Sequence, residues 1–566
     1  MSFKPLPTLT ALSLTLSLQL NAQYNAIRIP DALTGPNFNL TIKDTFAQLR
    51  TGNQTITGAI NGHNFWGPTL IMNKGDNVTL NVTNKLNEST TLHWHGLHLP
   101  AVMDGGPHQV VATNAVWRPY FTVKNNASTF WYHPHLHEMT LEHLSKGIGG
   151  FIIVRDPQEA ALALPRTYGI DDIPLALTSR RYGTDNSFTV QNTAYGDYML
   201  VNGTPSPQAT LPKQMVRLRI LNAEVERAYN LGFSDNRTFY VIGNDGGLLN
   251  APVAVTRLPI LVGERYEILV NLSNDVVGAT TLNLMAYNSG QALGFPGGEP
   301  GTNGQFGSLL NNKDFNILNI KIAAATTGAI TTVPTTLVSN TYLTAADATV
   351  TRDIAVTGGN QGTAFTLDNT PFSLTNINKT VNLNTIEKWT IKNNAVFGHT
   401  FHIHDVQFKI VSRSSGTVAN YESGWKDVLY LPRNESVSFV AKFEDYSDAT
   451  HPFMYHCHFS NHEDEGMMGQ FVVVNPLSVE SEHEKLAFTV YPNPASSKLF
   501  VKFDNANTDI YYAKITNALG KTMYMLPRPQ LAEGIDIQGL NPGVYNLLLT
   551  DAATKKVFTK TFIVGQ

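Results

Sequence analysis

The sequence runs through one short pattern three times in the same order. Ile60-Asn61-Gly62 precedes a stretch ending in NVTLNVTN at residues 77–84. Val201-Asn202-Gly203 precedes one ending in MVRLRILN at 215–222, and Leu367-Asp368-Asn369 precedes one ending in TIEKWTIKN at 385–393. Each copy reads as a turn, a strand, a second turn and an alternating strand that closes on Asn. Alternation with a period of two marks a strand with one face buried. A unit repeated in fixed order marks a repeated piece of structure. Helical periodicity is scarce, so the chain is expected to be all-β and to hold three similar β-sandwiches. Its 566 residues leave room for several domains.

The net charge of −4 gives no electrostatic reason to expect nucleic acid or an anionic membrane as partner. Residues 1–22 read as a signal peptide. Lys4 gives the positive start, and Ala11 to Leu20 is an apolar core too short to span a bilayer. Leu20-Asn21-Ala22 has the small final residue of a cleavage site. Export permits disulfides, yet Cys457 is the only cysteine and cannot pair within the chain. That isolation favours a ligand over a staple.

Cys457 stands in HCHFSNHEDEGM, His456 to Met467. A thiolate, imidazoles and a distant thioether are the ligand set of a blue-copper electron-transfer site. In an extended His456–His458, successive side chains face opposite ways, so Cys457 serves one metal while His456 and His458 serve others. Ten of the 17 histidines fall into four clusters: His93 and His95 in LHWHG, His133 and His135 in WYHPHLH, His399, His402 and His404 in HTFHIH, and His456, His458 and His462. An HxH pair on a strand puts both rings on one face, about 7 Å apart.

The four clusters, in this order, resemble the copper-binding signatures of the multicopper oxidases, the family of laccases, bilirubin oxidases and copper-efflux oxidases. The likeness runs from about residue 25 to 476. It implies cupredoxin-like Greek-key sandwiches near 23–165, 166–325 and 335–480, and four copper ions. By the resemblance His399, Cys457, His462 and axial Met467 hold the type 1 copper, and His93 and His402 the type 2. His95, His133 and His458 hold one type 3 copper; His135, His404 and His456 hold the other. Met468 offers a second thioether, but Met467 stands at the family's offset. Asp104, in MDGGPHQ, and Glu463, directly after His462, resemble the family's proton-delivering carboxylates; a turn cap is the plain alternative for Asp104. Asp464 and Glu465 read as solvated, the segment 263–272 as an ordinary core strand, and the Gly-rich run 289–307 as a surface loop.

The expected reaction is laccase-like: one-electron oxidation of phenolic or similar small donors, entering at an exposed edge of His462, with four-electron reduction of O₂ to water. The alternatives are a metallo-oxidase acting on Cu(I) or Fe(II), and a copper-sequestering protein without turnover. Run 289–307 holds no methionine, against the soft sulfur a cuprous site uses. Ala395, four residues before His399, replaces an acidic group that can bind a metal ion there, and weakly favours organic donors. The tail, 487–566, carries YPNP, ITNALGK, NPGVY and KTFIV. It resembles a type IX secretion sorting domain, although its Val-Gly-Gln ending departs from the commoner basic one. It implies a small β-sandwich, a partner in the export machinery and a protein secreted, or held at the cell surface, after crossing the periplasm. A monomer is expected.

Overall fold

The computed structural model describes residues 24–188, 195–302, 306–359, 363–475, 488–503, 510–518, 520–527, 531–551 and 557–565. The expected signal peptide lies outside them. The chain divides into two compact units, 1–475 and 476–566.

The first unit is three sandwiches of two sheets each. The triple repeat has a structural counterpart at three levels. The first is the turn: Asn61 and Gly62, Asn202 and Gly203, and Asp368 and Asn369 all have positive φ. Two consecutive left-handed residues make the tight turn that matches strand twist, and Asn, Asp and Gly tolerate it best. The second is pairing. Asn37–Ala47 runs parallel to Asn77–Asn84, Asp172–Arg180 to Met215–Asn222, and Val350–Thr357 to Thr385–Asn393.

The third is the closing asparagine. Asn84 Nδ2 donates to the carbonyls of Glu88 and Val111. Asn222 Nδ2 donates to those of Arg227 and Ile260. Asn393 Nδ2 donates to those of Phe397, Leu431 and Pro432. In each case the side-chain oxygen accepts from the N–H two residues on, at Leu86, Glu224 and Ala395. One buried amide thus fixes the loop leaving each strand. In the third sandwich that loop leads into His399.

Each sandwich closes on its own apolar core, around Leu40 and Leu80, Leu218 and Ile268, and Trp389 and Phe439. Two segments cross the expected boundaries. Asn25–Ala26 pairs with Pro207–Pro212 of the second sandwich, and Leu337, expected at the start of the third, packs into the second core.

The second unit holds a three-stranded sheet (Phe488–Tyr491, Lys498–Phe503, Ile535–Asp536) and a four-stranded sheet (Ile510–Asn517, Thr522–Pro527, Gly543–Asp551, Val557–Val564). Phe488, Leu499, Ile515, Leu547 and Phe562 form its core.

Candidate metal centre

Four strand segments position the histidines: His135, His404 and His458 lie just past strand ends, and His462 lies in the Ser460–Asp464 helix. His93–His95 pairs antiparallel with Ser128–His133, setting His133 opposite His93. His399–Ile403 pairs with Asp448–Cys457, setting Cys457 opposite Phe401 and His456 opposite His402. The first and third sandwiches bring these pairs face to face. His93 stacks on His404 with ring centroids 3.9 Å apart, and His95 on His402 at 3.8 Å. Gly105 makes the close fit possible. A Cβ there would lie 1.9 Å from the Leu92 carbonyl oxygen, and its φ is +80°, so the Asp104 turn presses directly against the His93 strand.

Eight imidazoles present one nitrogen each to a shared interior. His95 Nδ1 lies 3.4 Å from His133 Nε2 and 3.1 Å from His458 Nε2. His135 Nε2 lies 3.2 Å from both His404 Nε2 and His456 Nε2. The Nε2 atoms of His93 and His402 are buried without a hydrogen-bond partner; with His404 they offer ligand atoms within 4.8 Å of one another.

Most of the outward nitrogens are held. His93 Nδ1 donates to the Asp104 carbonyl (2.9 Å), His133 Nδ1 to Pro134 (2.8 Å), His402 Nδ1 to Asp427 (2.8 Å) and His456 Nδ1 to Cys457 (2.9 Å). His404 Nδ1 donates to Asp104 Oδ2 (2.7 Å), and His135 Nδ1 lies 3.1 Å from Glu463 Oε1. The approach to Glu463 is a proximity and not a hydrogen bond: His135 Nδ1 and His458 Nδ1 are both buried with no hydrogen-bond partner. Pinning one ring nitrogen fixes the tautomer and aims the other at a metal. Burial, reinforced by neighbouring imidazoles, holds His95, His133, His135, His402, His404 and His458 far below the usual histidine pKa. Burial also brings His456 down to about 3. These rings are neutral, the form that ligates.

On the other face of the same tripeptide, Cys457 Sγ lies 3.6 Å from His399 Nδ1 and 3.7 Å from His462 Nδ1. Burial pushes the thiol pKa far up, and a bound cation is what turns such a group into thiolate. The Cys457 N–H donates to the Met467 carbonyl, and the Met467 N–H to that of His462. Met467 is buried, while Met468 lies in the strand opposite His456. The ten expected histidines and Cys457 therefore gather in two neighbouring clusters joined by His456-Cys457-His458, and Met467 is tied to the second through its backbone.

Both expected carboxylates touch the histidine interior. Asp104 receives His404 through its side chain and His93 through its carbonyl. Glu463 sits between His135 and His456, and Thr140 Oγ1 donates to it at 2.7 Å. Burial, then Asp464, raises its pKa well above the carboxylate range.

Four expectations change. Asp464 is not a solvated loop residue: it accepts from the N–H groups of Thr140 and Leu141 and caps the Thr140–Ser145 helix. The 263–272 segment is no plain core strand, because it carries Arg265 and Glu267 in buried ion pairs. Run 289–307 is no simple surface loop, since Phe295 joins a buried cluster with Ala228 and Leu261. His462 presents no exposed edge. It is 2% exposed, covered by Phe365 at 4.4 Å between rings and by Glu226, whose Oε1 lies 3.8 Å from His462 Nε2.

The remaining nearby histidines serve elsewhere. His98 lies between Asp405 and Asp445, His108 bonds Gln470, His137 packs on Phe372, and His143 bonds Thr90.

Profiles described as multicopper oxidase match residues 41–159, 178–287 and 345–476. The chain belongs to the multicopper oxidase family. A secretion system C-terminal sorting domain matches residues 489–565. Among curated relatives of this multicopper oxidase is the cell division protein FtsP of Xenorhabdus nematophila, 31% identical over 75% of this chain and 86% of that protein. Another is the multicopper oxidase mco of Staphylococcus haemolyticus, 30% identical over 78% and 89%. Among solved structures, a laccase-like multicopper oxidase of Ochrobactrum sp. is 31% identical, with a TM-score of 0.70 over 79% of this chain and all of that one. The McoA multicopper oxidase of Aquifex aeolicus is 26% identical with a TM-score of 0.71 over 80% of this chain.

Residues outside the copper signatures complete the interior. Asp427 Oδ1 lies 3.2 Å from His95 Nε2, and the Asp427 carbonyl accepts from His402. Arg265 of the second sandwich grips both Asp427 oxygens, each at 2.6 Å. The second sandwich supplies no imidazole, yet it holds the carboxylate that holds two of them. Sequence reasoning missed Asp427, Arg265 and Glu226. The signal available was charges set inside an apolar strand pattern, as in GERYEILV and WKDVLYL: such charges need buried partners.

Proposed function

We propose that this multicopper oxidase takes electrons singly from a small donor and reduces O₂ to water with four coppers. His399, Cys457, His462 and Met467 would hold the type 1 copper, and His93 and His402 the type 2. His95, His133 and His458, and His135, His404 and His456, would hold the type 3 pair. Bound copper supplies one-electron redox change and a place for O₂. The chain supplies the rest. Neutral imidazoles aimed by their outer hydrogen bonds hold the metals, Cys457 joins the two clusters through its own backbone, and Asp104 and Glu463 hold protons beside His404 and His135.

The observation that carries this reading is the inward aim of the imidazoles: two buried ring nitrogens without partners beside two triads converging within 3.4 Å. A sequestering protein has no need of that arrangement, nor of a sulfur wired to it. Phenols and similar small reductants can feed such a centre at a distance. A metal-ion donor is the second reading, favoured by Glu226 at the covered face of His462. The C-terminal unit serves as an address for type IX export, residues 1–22 direct passage to the periplasm, and the mature protein acts as a monomer outside the cell or on its surface.

The test is copper analysis with O₂ uptake. Four coppers per chain and uptake driven by a phenolic donor are expected. Full copper loading with no uptake from any donor would favour sequestration.

A further inference from the structure

Two tripeptides in this chain set one oxidisable side chain between two inward histidines. His456-Cys457-His458 is one, and His93-Trp94-His95 is the other. Side chains alternate along the His93–His95 strand, so Trp94 turns away from the histidine interior and into the core of the first sandwich. There it stacks on Trp117, with 6.0 Å between centroids and 15° between planes. Trp94 is fully buried, whereas Trp117 is half-buried and lies in Val116–Trp117, at the edge of its sheet. The pair leads from the surface to the backbone that carries both His93 and His95.

A second indole stack flanks the same histidines. The Trp131 ring lies 4.1 Å from that of His133 and 5.3 Å from that of His95, and Trp66 stacks behind it at 6.3 Å. Trp131 and Trp66 are both fully buried in one apolar cluster, so this stack has no outlet. Indole is among the side chains that surrender an electron most readily. The Trp94 N–H is buried without a partner. An electron can leave that ring, but its proton has nowhere to go, so the ring returns unchanged once it is refilled. Trp117 can give its proton to water.

We propose that Trp117 and Trp94 form an electron relay from the surface to the histidine interior, separate from the Cys457 route, which supplies the electron that completes O₂ reduction when the Cys457 cluster cannot. The relay rests on the oxidase reading above. One O₂ takes four electrons and four protons to become two waters. Where only three electrons are at hand, Trp94 gives the fourth through the backbone it shares with His93 and His95. Trp117 refills Trp94 across the stack, releases its indole proton to water and is left as a neutral radical. A small reductant of the ascorbate class restores it with one electron and one proton. With His462 only 2% exposed, the relay guards the chain against stalling with O₂ incompletely reduced.

The test is a single exposure to O₂ of the copper-loaded Cys457→Ser chain, reduced beforehand and then freed of reductant. Lacking the sulfur cluster, it stores three electrons, one at each remaining copper, and is one short. With no reductant present the Trp117 radical takes up O₂, and peptide mass spectrometry reads the added oxygen. Oxygenated Trp117 is expected in excess over Trp425, a half-buried indole that packs on Tyr342 instead. Trp94→Phe, made in the same chain, should lose that excess. If Cys457→Ser does not load copper, the wild type given three electrons per chain takes its place. If Trp94→Phe does not fold, Trp117→Phe decides: a radical trapped by freezing should show the EPR signature of a protonated indole, held at Trp94. Equal oxygenation of Trp117 and Trp425, an excess unchanged in Trp94→Phe, or no such radical in Trp117→Phe would overturn the relay and leave the oxidase reading standing. A reduced wild type that consumes no O₂ would overturn the oxidase reading and the relay with it.

Discussion

Asp104 Oδ2 lies 2.7 Å from His404 Nδ1, across the junction of the first and third sandwiches. The carbonyl of the same residue accepts from His93, so one aspartate orients an imidazole from each sandwich. If it also hands over protons, Asp104→Asn should lower O₂ uptake by about a hundredfold, the usual size of an acid–base contribution. The blue colour of the Cys457 cluster should survive, because that cluster lies on the other face of the tripeptide. An unaltered rate would remove Asp104 from proton delivery.

Arg265→Met would strand Asp427, which is fully buried and gripped at both oxygens. Breaking a buried pair on one side costs about 3–5 kcal/mol. Urea denaturation should register a loss of that order. Copper analysis should show weakened loading, since Asp427 touches His95 and His402. Loss of stability with full loading would confine Arg265 to holding the sandwiches together.

The parts of this molecule that repeat locally were legible from residues alone. Asn61-Gly62 and its two counterparts announce their turns because few other residues accept positive φ. The HxH pairs announce shared faces because a strand alternates. The tripeptide at Cys457 announces two clusters for the same reason. What escaped depends on pairing across hundreds of residues. Nothing in GERYEILV says that Arg265 meets Asp427 of another sandwich. Nothing beside His462 says that Glu226 will cover it. Asp464 looked solvated because its partners, the Thr140 and Leu141 amides, belong to a distant helix.

Asn393→Ala should loosen the loop into His399. The change strands the Ala395 N–H and frees the carbonyls of Phe397, Leu431 and Pro432. Buried groups left unpaired cost about 1–3 kcal/mol. Chemical denaturation should show that loss, and the colour of the Cys457 cluster should shift or weaken. The same substitution at Asn84 should cost similar stability and leave the colour alone. Equal colour in both variants would break the link between this clamp and His399.

His98 makes stability depend on pH. Burial lowers its pKa, but Asp405 and then Asp445 outweigh burial and raise it to about 9. The folded state thus binds a proton more tightly than the unfolded chain, whose histidines titrate near ~6.5. The stabilisation is full below that value and is lost as pH rises toward about 9. Melting temperatures of the wild type and His98→Asn should therefore differ most near pH ~6 and converge by pH ~9.5. A constant difference across that window would show that the pair with Asp405 carries no proton linkage.

Cys457→Ser offers the most direct measurement. It removes the one sulfur lying within 3.7 Å of both His399 and His462, while every imidazole of the other cluster stays in place. Optical absorption, copper content and O₂ uptake should be read on the same sample. The expected result is loss of the blue band, one copper fewer per chain and no turnover. A variant that stays blue, keeps its full copper and consumes O₂ would contradict the claim that Cys457 holds one metal and joins it to the rest.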